Sequence, residues 1–215
     1  MFSILAFLAF SLMAPVPHSL PSTHAVHAAT SAKVPIDRGA YHDAMRKLWE
    51  DHVTWTRLYI VSAVADLPDK AAAAERLLQN QADIGDAIKP FYGEAAGNAL
   101  TALLRPHILI AAEVVDAAIA GDDARVQDGL ARWYSNSDEI ADFLAAANPD
   151  NWPQEAMRAE MRHHLDVTLE EALARLRGDW AADIAAYDMI HEHILGMADI
   201  LSSGIIRQFP RKFRS

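Results

Sequence analysis

From Arg38 onward, apolar residues recur at spacings of three and four, and runs of β-branched residues are absent. That period lines them along one face of a helix. Ala, Leu, Glu, Arg and Met dominate the same stretch. The pattern breaks at Leu67-Pro68-Asp69, at Pro90-Phe91-Tyr92-Gly93, at Gly121-Asp122, at Asn148-Pro149 through Pro153, and at Gly178-Asp179. Each break is a turn signal, and Gly121 and Gly178 are natural helix stops. The spacing predicts helices over 40–66, 69–88, 93–120, 123–147, 153–177 and 179–207. Short links between long helices imply antiparallel neighbours. The expected fold is all-α: one domain over residues 40–208, a six-helix bundle of three antiparallel hairpins with ferritin-like or four-helix-bundle-like packing. Residues 209–215 read as a basic, aromatic tail.

The segments repeat. His107 is followed by Glu113 and Gly121-Asp122 at the offsets by which His164 is followed by Glu170 and Gly178-Asp179. His52 stands fourteen residues before Asp66, as His107 does before Gly121 and His164 before Gly178. Three related hairpins are the simplest account.

This arithmetic puts the histidines at one level. Fourteen residues at 1.5 Å each is about 21 Å from the turn. On the returning helices Asp83 and Asp138 lie about as far from their turns, and His191 and His193 lie twelve and fourteen residues past Asp179. His52 shares a stripe with Leu48, Trp55 and Tyr59, and His107 with Leu100, Leu103, Ala111 and Val114. Burying several imidazoles costs free energy unless each finds a partner. A metal ion is one such partner, and neutral imidazoles with carboxylates suit Zn, Cu, Fe or Ni. The expected ligands are His52, His107, His164 and His191, with Asp83, Asp138 and Asp188 as carboxylate partners. Pro106 is expected to interrupt the third helix beside His107. The Asn80–Asp83 and Asn136–Glu139 stretches resemble helix caps or breaks at the same level. Glu160-x-x-His163 and Asp188-x-x-His191, with Glu113 and Glu139, sketch a second metal reading of the di-iron carboxylate type. The alternative is a small-ligand or partner-binding module whose histidines form a polar or pH-sensing network without metal. Trp49, Trp55, Trp133, Trp152 and Trp180 are then candidates to line a pocket.

Composition narrows the classes. The chain has 215 residues, 52% of them apolar, and a formal charge of −10. An acidic chain without a basic stripe is not expected to bind nucleic acid. The lack of cysteine excludes disulfides, thiolate metal sites and cysteine nucleophiles. No GxGxxG, P-loop, GxSxG or HExxH is present, so the chain leans away from being an enzyme. Residues 2–15 are uncharged and apolar, too short to span a membrane comfortably, and Val26-His27-Ala28 is a cleavage pattern. Residues 1–28 therefore read as a signal peptide and 29–39 as a flexible segment. The mature chain is expected in the periplasm, cell envelope or medium, with no stable membrane span.

Five strings carry a resemblance: Met45-Arg46-Lys47-Leu48-Trp49-Glu50-Asp51-His52-Val53, Leu77-Leu78-Gln79-Asn80-Gln81-Ala82-Asp83-Ile84, Ile88-Lys89-Pro90-Phe91-Tyr92-Gly93, Asn148-Pro149 and Gln208-Phe209-Pro210. Over about residues 44–213 the chain resembles an uncharacterised family of exported bacterial helical proteins. The resemblance implies a helical envelope protein and carries no assigned activity. Some members bear the names glycosyltransferase or acetylglutamate kinase. This chain lacks the Gly-rich elements and α/β alternation those activities require.

Overall fold

A computed structural model describes residues 35–214. The expected signal segment lies outside them. The described chain forms six helices, α1 Arg38–Val64, α2 Lys70–Tyr92, α3 Glu94–Ala120, α4 Asp123–Ala147, α5 Gln154–Leu176 and α6 Trp180–Gln208. None of them is long and apolar enough to cross a membrane. Each helix packs on the next in sequence, and α6 returns to α1, so the antiparallel bundle closes into a ring.

The repeat read from the sequence has a backbone counterpart at the three hairpin turns. Asp66, Gly121 and Gly178 all take left-handed conformations, with φ of 51°, 69° and 70°. The next residue's N–H then reaches back to a helix carbonyl five residues earlier: Leu67 to Ser62, Asp122 to Ala117, Asp179 to Ala174. This closes the end of α1, α3 and α5 in one way. Asp122 and Asp179 also cap α4 and α6, accepting from Arg125 N and Ala182 N at 3.1 Å.

Two local expectations are corrected. Pro106 does not interrupt its helix, because α3 runs through it from Glu94 to Ala120. A proline removes one N–H and one ladder bond, and packing on both sides holds the helix together across that gap. Asn80 and Asn136 are neither caps nor breaks. They lie inside α2 and α4 and spend their side-chain amides across the hairpin, on Leu48 O at 3.0 Å and Leu103 O at 3.1 Å. Both carbonyls belong to the residue four before a histidine, His52 or His107.

The histidine level divides the ring into unlike halves. Toward the chain termini the interior is filled by large side chains, among them Met45, Trp49, Ile84, Leu144, Trp152 and Ile205. Toward the three hairpin turns small residues, including Ala74, Ala111, Ala112 and Ala172, face inward and leave a hollow. The C-terminal segment closes the filled end. After a single 3-10 turn at Pro210–Lys212, Phe213 stacks on Phe91 with ring centres 5.4 Å apart and meets Tyr41 at 5.3 Å. Two short parallel strands, β1 Ile36–Asp37 and β2 Phe213–Arg214, then join the start of the described chain to its end.

Candidate functional site: an imidazole floor under an apolar cavity

The hollow half of the ring encloses an empty space of about 840 Å³, its open mouth included. Its walls come from α1 to α5. They are aliphatic and aromatic apart from Thr56 and Thr168, whose hydroxyls donate to His52 O and His164 O, and no Asp, Glu, Lys or Arg lines them. Its polar floor is His52 from α1, His107 from α3 and His164 from α5. The ring of His164 lies 5.7 Å from that of His52 and 6.4 Å from that of His107, centre to centre. The equivalent positions of the repeat thus converge inside one ring of helices.

Each floor histidine meets a residue 29 positions later, on the returning helix of its own hairpin. Gln81 Nε2 lies 3.2 Å from His52 Nδ1, and Asn136 Oδ1 lies 3.0 Å from His107 Nδ1. In the third hairpin that position is His193, whose ring stacks on His164 at 6.0 Å. No hydrogen bond joins the pair: His164 Nδ1 and His193 Nε2 are both buried without a partner. The cluster continues outward, with His163 edge-on to His193 at 4.7 Å and Glu160 Oε2 3.7 Å from His193 Nδ1.

Burial keeps these imidazoles neutral. Desolvation, with the His107 charge in second place, pushes His52 down to about 3. Desolvation pushes His107 down to about 4, although its bond to Asn136 acts the other way. His164 is held well below the ordinary value, first by burial and then by the neighbouring histidines. His193 is lowered by burial and by His163, against Glu160. A charged imidazolium would have no water and no anion on the floor, so the neutral form wins.

The other expected ligands go elsewhere. His191 turns to the surface, where its Nε2 meets Glu50 Oε1 at 3.0 Å; its neighbour His193 takes the inward place. Residues two apart point to different faces of a helix, so only one of the two can face the bundle. Asp83 lies 3.6 Å from Arg76 on its own helix. Asp138 holds Arg162 through both oxygens, at 3.0 and 2.6 Å. Asp188 is exposed. Glu113, from the di-iron pattern, pairs with Arg132 at 2.6 Å, and Glu139 is exposed. Among the described residues, no group of three or more His, Asp or Glu side chains is placed to hold a metal ion. Of the tryptophans, Trp133 lines the cavity, with its Nε1 buried and unpartnered. Trp49 and Trp152 are core, and Trp180 is exposed.

A second polar cluster lies between α1, α5 and α6. Arg57 Nη1 donates to Glu171 at 2.6 Å and to Asp183 at 2.9 Å, and Arg175 reaches Asp183 at 3.1 Å. Both carboxylates are 1% exposed. Burial raises Glu171 to about 7 even though Arg57 opposes the shift. Arg57 also stacks over Tyr187 at 4.6 Å. These ion pairs seat α6 between α1 and α5. Helical periodicity carries no signal for them, because the partners lie on three different helices. Gln81 shares its offset of 29 residues with Asn136, a regularity that becomes legible in the sequence once one of the two contacts is known.

No family model, no curated protein and no solved structure matches the chain.

Proposed function

We propose that this protein binds a small, mostly apolar molecule in the cavity above His52, His107 and His164. The observation that carries the reading is a hollow that no charged side chain lines and whose floor is three imidazoles held neutral by burial. Apolar pockets with a few convergent polar groups are the usual form of a small-molecule site, and the floor imidazoles are those groups here. Titration with naphthalene and 2-naphthol tests it. At least one should bind saturably, one per chain, and Ala112→Phe should abolish that binding by filling the hollow while the helical circular dichroism is retained. Binding that survives the filled cavity would place the site elsewhere. The exported location expected from residues 2–28 belongs to the same reading, and cell fractionation checks it.

Transition-metal binding is the second reading, and His107 favours it. Its Nδ1 is tied back to Asn136, the kind of outer bond that orients a metal-ligating imidazole and frees Nε2. His52 points the other way: Gln81 donates to its Nδ1, which leaves the proton on Nε2. Zn, Cu, Fe or Ni on this floor would require the Gln81 amide to turn over. Elemental analysis of untagged protein decides the matter. A stoichiometric metal, lost in the folded His107→Ala, His164→Ala double variant, would put the metal reading first.

A further inference from the structure

The free polar atoms on the cavity floor are of opposite kinds. Asn136 Nδ2 donates to Leu103 O, so Asn136 Oδ1 is the atom that receives the His107 Nδ1 proton. His107 Nε2 therefore keeps its lone pair and accepts. Gln81 Nε2 donates to Leu77 O at 2.8 Å, which sets the orientation of that amide. Its second proton faces His52 Nδ1 and Asn80 Oδ1, both at 3.2 Å. His52 then carries its own proton on Nε2 and donates. Neutral imidazole always presents one nitrogen of each kind, and here the helix behind each ring selects which one is left for the cavity.

We propose that the ligand of this cavity is an uncharged apolar molecule bearing a hydroxyl, an alcohol or a phenol. Its oxygen accepts from His52 Nε2–H and its proton goes to His107 Nε2. This rests on the small-ligand reading and adds the identity of the head group. A hydroxyl is the smallest neutral group that donates and accepts at once. A hydrocarbon would leave both imidazole nitrogens dry and unpaired, at the full desolvation cost of each. A carboxylate would bring only acceptors to the His107 lone pair, and no Lys or Arg lines the cavity to hold its charge. An ammonium would bring only donors to the His52 N–H, with no carboxylate on the walls.

The test is a matched set of probes, naphthalene, 2-naphthol and 2-naphthoate, titrated calorimetrically against the full chain at pH 7. The naphthol is expected to bind about ten- to a hundredfold more tightly than either of the others, the worth of one or two buried hydrogen bonds. His107→Leu should weaken the naphthol and tighten naphthalene, which no longer dries that nitrogen, so the preference for the naphthol shrinks or disappears. Equal binding of naphthol and naphthalene by the natural chain would overturn the head-group inference and leave the cavity reading standing. Tightest binding of the naphthoate would also overturn it. Absence of saturable binding by all three would bring down the cavity reading itself. The comparison on the natural chain decides alone if the leucine variant does not fold.

Discussion

His107 and Asn136 carry one job between them. The amide holds a carbonyl of α3 with its nitrogen and a ring nitrogen of the same helix with its oxygen. Asn136→Leu removes both bonds at a buried site and leaves His107 Nδ1–H unsatisfied. The expected loss is about 1–3 kcal/mol of unfolding free energy, read from urea denaturation. The neutrality of the ring has a pH signature. An unfolded histidine titrates near 6.5, whereas His107 is held down to about 4. Below about pH 6.5 the unfolded chain therefore binds more protons than the folded one. The stability tied to this group is present above that pH and is lost as pH falls toward the folded value. Glu171, raised to about 7, slopes in the opposite sense between its ordinary value and 7, so the histidine must be isolated by difference. Between pH 7 and pH 5 the natural chain should lose about 2 kcal/mol more than His107→Gln. Equal losses would show that the ring is not held neutral.

Among the helices, α2 and α3 approach each other backbone to backbone. A methyl group at Gly85 would sit 2.6 Å from Gly97 O and would strike the Thr101 side chain; one at Gly97 would sit 2.6 Å from Gly85 O. Because a backbone carbonyl cannot swing aside, the two helices would have to separate. Gly85→Ala is expected to cost about 2–3 kcal/mol despite alanine's better helix propensity, and thermal unfolding measures it. Gly93-x-x-x-Gly97 reads in the sequence as a small-residue helix contact. The contact is real at Gly97, but its partner is Gly85 on the other helix. Gly93 instead serves the turn, with φ of 88° and open space around it. Periodicity predicts that α2 and α3 exist and are neighbours. It carries no signal for which residues meet, since that depends on how two helices rotate against each other.

At the scale of the whole molecule, the ring is closed by parts far apart in sequence. The ion pairs of Arg57 with Glu171 and Asp183 tie α5 and α6 to α1 on one side. At the filled end, the segment expected to be a basic tail is anchored instead: Phe213 is only 7% exposed among Tyr41 and Phe91, and Lys212 lies 5.5 Å from the centre of the Phe91 ring. Phe213→Ala should therefore cost about 3 kcal/mol of stability, the scale of a core phenylalanine, with little effect on ligand binding at the opposite half. A surface tail would lose almost nothing on the same change.

The all-α class, the six helices, their antiparallel order and the equivalence of His52, His107 and His164 were all present in the one-dimensional pattern. Each depends on short-range physics: a helical period, a left-handed stop, a fixed rise per residue. The gathering of those three histidines followed from the same counting, because hairpins of equal length pack in register. Tertiary structure alone decided the rest. It chose His193 over His191 by the rotation of α6, and it sent Asp138 to Arg162 on another helix, a partner no spacing rule relates to it. It also hollowed one half of the ring and filled the other. An alanine that covers a neighbour and an alanine that borders empty space are identical in sequence, and only the packing of the opposite helix tells them apart.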